Sequence, residues 1–586
     1  MRFPLILVGL VCAQVGLVCA QVLAAAPALE VKVQKNVAVP MRDGTILRAD
    51  VYTPKTGGPY PVLVSRSPYG KPGGGMTYAK AGYIVVCQVT RGRYESDGVF
   101  KSFVHQDDGQ AEDGYDTVEW AAKLPGSNGK VGTFGASYNA YVQWKLASLR
   151  PPSLVVMSAH SIPARMTELE GPGGIRPGRR INWWYRSMSW DMRKRTDGEK
   201  PHSRAEANKL WVTGKDKELM YTLPWVDLPD SVFGYEAKVV KDWLRNPRRD
   251  PWQLPEICTE VAVPNFDVVG WFDHCNGSIG LHRKLVKKGR NENVRNRQRL
   301  VIGPWSHTGR GGRKVGDLDF GKNAAFSVRG QELRWFDHWL KGKGNGIDQE
   351  PPVRIFVMGR NEWRSEKEWP LSRAKKVRYF LDSGGSANTP AGDGRLGRKS
   401  AKQKGSDNYD YDPAKPVPTI WTAKQFTVPA DQRPLAKRQD ILVYQTEALK
   451  QEMEVTGYPK VMLYASSSAR DTDFFVRLID VAPDGVARDV TMGMVRASKR
   501  NGLEKDHWLQ PGKVTKFEIE MNPTSNLFKK GHRIRLDVTS SDFPNFDRHH
   551  NTAVNQNVDA RLVVATQTVH HGPKFRSAIE LPVIQE

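Results

Sequence analysis

Short runs of consecutive apolar residues recur through the first part of the chain. Three of them lie at 61–64, 83–87 and 154–157. Runs that are apolar at every position predict strands buried on both faces of a parallel sheet. Stretches with helical spacing of apolar residues lie between them, at 113–123 and 138–149. This alternation predicts a doubly wound α/β sheet with helices on both faces.

The strand pattern stops between residues 161 and 255, where tryptophan, arginine, methionine and glycine are frequent. We interpret this segment as a helical cap inserted into the α/β domain. Strand-like runs resume at 266–269 and 300–302. The predicted α/β core therefore has two parts, residues 29–160 and residues 256–348.

The region from 349 to 586 has a different pattern. Apolar and polar residues alternate in many short segments, most clearly at 516–521 and 533–538. Period-two alternation predicts antiparallel strands with one face toward solvent. We expect a jelly-roll β-sandwich here. Residues 383–408, rich in glycine, serine and lysine, are predicted to form a long surface loop within it.

Residues 1–28 have the composition of a secretory signal peptide. Arg2 precedes a largely apolar stretch from Phe3 to Leu23, and small residues follow it. Cleavage after Ala20 or after Ala28 fits this pattern. An uncleaved membrane anchor is the alternative, because the stretch is long enough to span a bilayer. We expect an exported protein, in the periplasm or fully secreted.

The chain is strongly basic, with a formal net charge of +24 at pH 7. Such a field attracts anions. The basic residues are spread along the whole chain and match no nucleic-acid motif, so nucleic-acid binding is not expected. Electrostatic association with an anionic cell envelope is an additional hypothesis.

Cysteine is scarce, with five residues in the whole chain and two of them within residues 1–28. The odd number that follows the signal segment does not indicate a disulfide scaffold, although a bridge between Cys258 and Cys275 is left open. The chain contains no Cys-x-x-Cys pair. Neither a metal site nor a cofactor is predicted.

The clearest chemical signal surrounds Ser137. The string Gly135-Ala136-Ser137-Tyr138-Asn139 follows a short predicted strand and precedes a predicted helix. A nucleophile elbow occupies this position in α/β-hydrolases, where a sharp turn projects a serine hydroxyl above the sheet. The elbow requires small residues two positions before and after the serine. Gly135 meets that requirement and Asn139 does not.

The other members of a catalytic triad follow in the expected order. In this fold the acid comes after the serine and the histidine comes last, each after a strand. Asp273 follows the run at 266–269, and His307 follows the run at 300–302. His307 would accept the proton of Ser137, and Asp273 would orient the imidazole. Asp267 is the rival acid, but it lies inside the strand run.

Stabilisation of the oxyanion requires hydrogen-bond donors. The backbone N–H of Tyr138, directly after the nucleophile, is the first candidate. The second donor should come from a loop after an early strand, where Ser67-Pro68-Tyr69-Gly70 lies. The Tyr69 hydroxyl is therefore predicted to complete the oxyanion hole.

With these motifs in order, the chain resembles the hydrolase family that includes cocaine esterases, X-prolyl dipeptidyl peptidases and α-amino-acid ester hydrolases. The matching motifs are Met41-Arg42-Asp43-Gly44-Thr45, Ser67-Pro68-Tyr69-Gly70, Arg91-Gly92-Arg93-Tyr94-Glu95-Ser96-Asp97-Gly98, the Gly-x-Ser-Tyr elbow, Gly270-Trp271-Phe272-Asp273 and Gly303-Pro304-Trp305-Ser306-His307.

The resemblance implies an α/β-hydrolase domain with an inserted cap and a C-terminal jelly roll. It also implies Ser137 as nucleophile, Asp273 as acid, His307 as base, and an oxyanion hole formed by Tyr69 and Tyr138. The family usually has glycine where this chain has Asn139.

The predicted function is hydrolysis of a small-molecule ester or amide through an acyl-enzyme intermediate. Trp183, Trp184 and Trp190 of the cap are the candidate substrate-binding residues. The arginine content of the cap indicates an anionic group on the substrate. Two alternatives are an X-Pro dipeptidyl-peptidase-type aminopeptidase and a cell-surface or carbohydrate-binding protein with an inactive hydrolase domain.

Overall fold

The computed structural model describes residues 29–213, 215–246, 252, 254–420 and 429–585. The predicted signal segment, residues 1–28, lies outside these ranges. Within them, no helix combines the length and the apolar character that crossing a bilayer requires.

The first part of the α/β domain alternates strands and helices as predicted. Its elements are β1 (Val31–Pro40), β2 (Ile46–Pro54), β3 (Tyr60–Ser67), α1 (Gly75–Lys80), β4 (Ile84–Val89), α2 (Gln110–Ala122), β5 (Ser127–Ala136), α3 (Tyr138–Ser148) and β6 (Leu154–His160). The strands pair in the order β1-β2-β4-β3-β5-β6, and those from β4 to β6 run parallel. Every residue of β4 is buried, which explains why its sequence is apolar at every position except Gln88.

The cap consists of short helices. They are α4 (Met166–Glu170), α5 (Arg179–Trp183), α6 (Trp190–Arg195), α7 (Arg204–Thr213), α8 (Ala237–Arg245) and α9 (Leu254–Ile257). A π-helical segment, Trp184–Ser189, joins α5 and α6 into one rod. Six tryptophans of the cap region belong to the same buried core as the first half of the sheet, namely Trp184, Trp190, Trp211, Trp225, Trp243 and Trp252.

The second part of the α/β domain returns to the same sheet. Its elements are β7 (Phe266–Phe272), α10 (Ser278–Lys288), α11 (Glu292–Asn296), β8 (Arg299–Ser306), β9 (Lys314–Val315), β10 (Leu318–Asp319), α12 (Val328–Lys341), β11 (Val353–Val357) and β12 (Glu362–Glu366). Strand β7 lies beside β6 through a parallel bridge between Met157 and Asn265. Strand β8 follows β7 in parallel, and β11 and β12 complete the edge.

The predicted boundary at residue 348 falls a few residues before β11. Strand β11 pairs in parallel with β8, and β12 pairs antiparallel with β11. Both strands lie beyond residue 348 but belong to the catalytic sheet. Strand β12 has one apolar residue, Trp363, among four polar ones.

The C-terminal region is a β-sandwich, as predicted. Its strands are β13 (Lys375–Asp382), β14 (Arg395–Gly397), β15 (Gly405–Tyr411), β16 (Leu442–Gln445), β17 (Met453–Gly457), β18 (Lys460–Ser467), β19 (Asp473–Val481), β20 (Ala487–Arg496), β21 (Thr515–Glu520), β22 (Thr524–Phe528), β23 (Arg533–Thr539), β24 (Ala565–His571) and β25 (Ala578–Ile584). The predicted loop at 383–408 contains β14 and the start of β15. Buried Asp407 holds it together by accepting hydrogen bonds from Ser383, Tyr444 and the Ala387 N–H.

A loop of the β-sandwich packs against the cap. The Gly178 N–H donates to the Asn545 carbonyl oxygen at 3.0 Å, and the Asp547 N–H donates to Arg176 at 2.7 Å. The Asn555 side chain donates to the Leu244 carbonyl oxygen at 3.0 Å. The cap is thus bonded to the β-sandwich as well as to the sheet from which it emerges.

Two motif glycines allow β7 and β8 to approach closely. A methyl group on Gly270 would lie 2.0 Å from the Trp305 carbonyl oxygen, and one on Gly303 would lie 2.5 Å from the Trp305 ring. Because real Cβ atoms do not approach backbone oxygen so closely, β7 and β8 would have to separate. Asp273 and His307 directly follow these two strands, so the glycines also set the spacing of the acid and the base.

We expect Gly270→Ala to lower the free energy of unfolding by about 3 kcal/mol, because the added methyl group overpacks a backbone contact. Urea unfolding followed by circular dichroism measures this. Gly280→Ala, on α10 with no atom within 4 Å of the added methyl, is the matched control. It should change stability by less than about 1 kcal/mol. Equal stability of the two variants would contradict the steric argument.

Candidate active site

Ser137 lies on a strained turn between β5 and α3. Its backbone has φ 60° and ψ −127°, a left-handed conformation that is costly for a residue with a Cβ atom. The Ser137 N–H donates to the His160 carbonyl oxygen at 2.9 Å, which holds the turn against the end of β6. Helix α3 begins at the next residue, Tyr138. This is the geometry of a nucleophile elbow, at the position that the sequence predicted.

The asparagine in the elbow is accommodated by Gly135. Gly135 has φ 140°, and a methyl group there would lie 2.7 Å from the Asn139 Cβ atom. Residues 135 and 139 thus face each other across the turn, and the turn has room for one Cβ atom at this point. Gly135 leaves that room to Asn139, so a glycine at 139 is unnecessary.

We expect Gly135→Ala to reduce activity at least about tenfold and to lower stability, because it adds a clash and a strained φ. Asn139→Gly removes the opposing Cβ atom and should be nearly neutral. The double variant should recover part of the loss, since the two positions share one space. Ester hydrolysis rates and melting temperatures of all four proteins measure the coupling. Strict additivity of the two substitutions would contradict the shared-space explanation.

Asp273 and His307 form a direct hydrogen bond. The His307 Nδ1 atom lies 2.8 Å from Asp273 Oδ1, and the same oxygen accepts the Cys275 N–H at 2.7 Å. Asp273 is buried, with 2% of its surface exposed. Burial opposes ionisation of both groups, but their mutual attraction prevails. The pKa of Asp273 is therefore lowered and the pKa of His307 is raised above its ordinary value.

Ser137 and His307 line the same cavity, which has a volume of about 540 Å³. The cap forms one wall of the cavity and the ends of the strands form its floor. The bond from Asp273 to Nδ1 leaves the Nε2 atom of His307 to serve the serine. The structure thus brings the three predicted triad residues to one site.

The rival acid lies elsewhere. Asp267 is buried on β7, and its carboxylate accepts the Ser161 N–H at 3.2 Å. This contact ties the start of the cap to the sheet, and it gives Asp267 a structural role.

Tyr69 lies in the cavity wall beside the elbow. Its hydroxyl oxygen accepts a hydrogen bond from the Trp183 indole N–H at 3.1 Å. Burial raises the pKa of Tyr69 to about 12, so its hydroxyl keeps its proton and can donate. The Tyr138 N–H lies at the start of α3, where the helix dipole also favours negative charge. The structure places both predicted oxyanion donors on this cavity.

The three predicted substrate-binding tryptophans lie in different places. Trp183 lines the cavity and orients Tyr69. Trp184 is buried against Phe233, and Trp190 is buried against Tyr94. Among the described residues that line the cavity, Trp183 is the one member of this set. Trp184 and Trp190 belong to the packing of the cap, where 2% and 8% of their surfaces are exposed.

The structure adds two residues that the sequence analysis did not assign to the site, and Cys275, one of them, is a free thiol. His274 and Cys275 line the cavity next to the triad, and the His274 ring centroid lies 4.8 Å from that of His307. Ligand atoms of Asp273, His274, Cys275 and His307 lie within 4.8 Å of one another. Such a group could in principle hold a metal ion. The Asp273–His307 hydrogen bond uses two of these atoms, and it favours the triad assignment.

Comparison with known proteins decides the family. The family model for X-Pro dipeptidyl-peptidase (S15 family) matches residues 43–309, and that for the X-Pro dipeptidyl-peptidase C-terminal non-catalytic domain matches residues 345–580. Cocaine esterase of Rhodococcus sp. (strain MB1 Bresler) is 34% identical over 94% of this chain and 99% of its own length. The chain belongs to the cocaine esterase family. It is a serine hydrolase.

Two solved structures resemble this chain over nearly its whole length. An α-amino acid ester hydrolase is 25% identical with a TM-score of 0.79, covering 98% of this chain and 100% of its own. An aminopeptidase from a marine sediment archaeon, Thaumarchaeota archaeon, is 26% identical with a TM-score of 0.74, covering 95% and 97%. The shared architecture includes the β-sandwich as well as the α/β domain.

Proposed function

We propose that this chain hydrolyses small-molecule esters, and with lower efficiency amides, through an acyl-enzyme on Ser137. The observation that carries the proposal is the Asp273–His307 hydrogen bond at the wall of the cavity that Ser137 also lines. A serine is a weak nucleophile by itself, and an adjacent oriented base activates it. The relatives named cocaine esterase and α-amino acid ester hydrolase support the ester preference.

The proposed mechanism has two half-reactions, and His307 acts as base and then as acid in each of them. The Ser137 hydroxyl oxygen attacks the substrate carbonyl carbon while His307 accepts its proton. The Tyr138 N–H and the Tyr69 hydroxyl donate to the oxyanion. Collapse of this intermediate breaks the bond to the alcohol or amine, which leaves with the proton from His307. Water then attacks the acyl-enzyme with His307 as base, which releases the acid and restores Ser137.

A dipeptidyl-peptidase activity is the second candidate, because the S15 family model covers the catalytic region. Such an enzyme must bind the free amino terminus of its substrate, and a carboxylate is the usual partner for an ammonium group. The described residues that line the cavity include five arginines and no aspartate or glutamate. This lining disfavours a cationic substrate, and we therefore rank ester hydrolysis first.

A fluorophosphonate probe tests the proposal. Purified protein is incubated with the probe, and peptide mass spectrometry locates the adduct. We expect labelling at Ser137, together with hydrolysis of p-nitrophenyl esters faster than of the matching p-nitroanilides. Ser187→Ala, a cavity serine of the cap, should label normally. Labelling of another residue, or none of the folded protein, would overturn the assignment.

We also propose that the chain is exported, on the strength of the signal-like composition of residues 1–28. Fractionation of the producing cells, with N-terminal sequencing of the product, tests this. A processed N-terminus outside the cytoplasm is expected, and full-length cytoplasmic protein would contradict it. The charge of +24 suggests additional attachment to an anionic envelope. Release by salt alone is the expected sign of such attachment.

A further inference from the structure

The catalytic cavity is lined by an unusual number of cationic side chains. Arg179, Arg180 and Arg186 reach it from the first helical rod of the cap, Arg204 from α7, and Arg310 from the loop after β8. No carboxylate occurs among the described residues that form its surface. A concave site lined by charges of one sign raises the local concentration of ligands of the opposite sign.

Three of these arginines have structural contacts that account for them. The Arg180 guanidinium lies 4.0 Å from the centroid of the Trp183 ring, and Arg179 donates to Asn545 of the β-sandwich at 3.2 Å. Arg310 donates to the His307 carbonyl oxygen at 2.6 Å, which supports the histidine loop. The argument for a ligand therefore depends on Arg186 and Arg204.

Arg186 is held in place without being neutralised. Its Nε atom donates to Asn208 at 2.7 Å and its Nη1 atom donates to Asn182 at 3.2 Å. Both partners are neutral amides from the flanking helices, and they fix the direction of the guanidinium. Burial lowers the pKa of Arg186, and the nearby charge of Arg204 lowers it further. A half-buried cation fixed by neutral groups beside a second cation is the arrangement that an anionic ligand stabilises.

Arg204 begins α7 at the edge of the cavity, and its side chain is exposed. In the described part of the chain, neither Arg204 nor Arg186 makes an ion pair with a carboxylate. The pKa of His274 lies well below its ordinary value, mainly because the ring is buried and also because Arg179 carries a positive charge. This shift is consistent with a positively charged cavity. Another cation would not be favoured here, whereas a carboxylate would.

We propose that the preferred substrates carry a carboxylate close to the scissile ester bond, and that Arg186 and Arg204 bind it. This inference depends on the proposed function, because it concerns the substrate of the same cavity. A charge-assisted pair of hydrogen bonds to a carboxylate should raise kcat/KM by about 10- to 100-fold over a neutral isostere. Most of the gain should appear in KM, because the contact is present before and during the reaction.

Two pairs of synthetic esters test the inference and locate the anion. On the acyl side, the mono-p-nitrophenyl ester of glutaric acid is compared with its methyl ester, in which the carboxylate is masked. On the alcohol side, the butanoate ester of p-hydroxybenzoate is compared with that of methyl p-hydroxybenzoate. Preference for the anionic member of either pair supports the proposal and identifies the side. Equal or lower kcat/KM for the anionic member of both pairs overturns it.

Variants assign the preference to the two arginines. Arg204→Gln and Arg186→Gln should each reduce the preference for the anionic ester about tenfold, mainly by raising KM for that ester. Lys209→Gln removes the same charge from the exposed face of α7, outside the cavity lining, and should keep the preference. Arg204→Lys should retain part of the preference for the anionic ester, because lysine has the positive charge of arginine but lacks the planar guanidinium that can donate two hydrogen bonds to one carboxylate.

The outcomes also separate this inference from the proposed function. If the neutral ester is hydrolysed through Ser137 but the anionic one gains nothing, the cavity arginines do not bind substrate and the hydrolase assignment stands. If Lys209→Gln lowers the preference as much as Arg204→Gln, the effect is long-range attraction and the local site is wrong. If neither ester is hydrolysed and Ser137 does not react with the fluorophosphonate, the proposed function itself fails.

Discussion

Replacing Ser137 with alanine is expected to lower kcat by about 10⁴- to 10⁶-fold. The acyl-enzyme cannot form without the hydroxyl oxygen, and the remaining oxyanion donors stabilise a direct attack by water far less. The residual rate is measured with a p-nitrophenyl ester at high enzyme concentration. Alanine keeps the Cβ atom at φ 60°, so the backbone strain of the elbow is the same in the variant. The fold should therefore be retained.

The control for this experiment is Ser187→Ala, on the cap side of the same cavity. Its kcat should stay within about threefold of the wild-type value, because Ser187 has no place in the proposed proton transfer. Near-ultraviolet circular dichroism verifies that both variants are folded. A folded Ser137→Ala protein with more than about a tenth of the wild-type kcat would remove Ser137 from the mechanism.

Replacing Asp273 with asparagine is expected to lower kcat/KM by about 10⁴-fold and to move its acid limb to lower pH. His307 must be neutral to act as base, so activity rises as pH rises through its pKa. Burial lowers that pKa, but Asp273 raises it above the ordinary 6.5. The wild-type acid limb should therefore lie above pH 6.5. Asparagine removes the negative charge, so neutral imidazole should persist to lower pH.

Profiles of kcat/KM between about pH 5 and pH 10 measure both effects. Asp267→Asn is the matched control, since it neutralises another buried carboxylate of β7 that bonds to Ser161 and not to His307. It should leave the acid limb near the wild-type position. An unchanged limb in Asp273→Asn would indicate that the observed titration belongs to a different group.

Much of the site could be predicted because its signals are local. The elbow at Ser137 requires a strand, a tight turn and a helix in succession, and this order is visible in the sequence. Asp273 and His307 each follow a buried strand, and the carboxyl ends of adjacent parallel strands meet at one edge. Tyr69 follows β3 in the same way. These predictions depend on chain order and strand type, which a single sequence contains.

The cap was less predictable because its side chains are directed by tertiary packing. The π-helical segment at Trp184–Ser189 separates Trp183 from Trp190, so the spacing that would place both on one face of an α-helix does not do so here: Trp183 lines the cavity and Trp190 enters the core. Sequence spacing alone cannot reveal the π-helical segment. Abundant arginine in the cap suggests an anionic substrate, but the convergence of Arg186 and Arg204 on one cavity depends on how the π-helical segment and α7 pack.

The join between the two domains was less predictable for a different reason. Strands β11 and β12 lie beyond residue 348, yet β11 pairs with β8 and β12 pairs with β11 at the edge of the α/β sheet. The sheet that a short strand joins is set by long-range pairing, which the pattern of a single sequence does not contain.

The hydrogen bonds between the β-sandwich and the cap bear on any effort to shorten this enzyme. The backbone of the cap near Arg176, Gly178 and Leu244 is paired by residues 545, 547 and 555 of the sandwich. Deleting the sandwich would expose these groups and the apolar surface beneath them, and so loosen the wall that holds Arg179 and Trp183. A shortened enzyme would have to keep this loop of the sandwich, or replace it with a designed segment that makes the same hydrogen bonds. The C-terminal region is thus better regarded as the outer frame of the substrate chamber than as a detachable module.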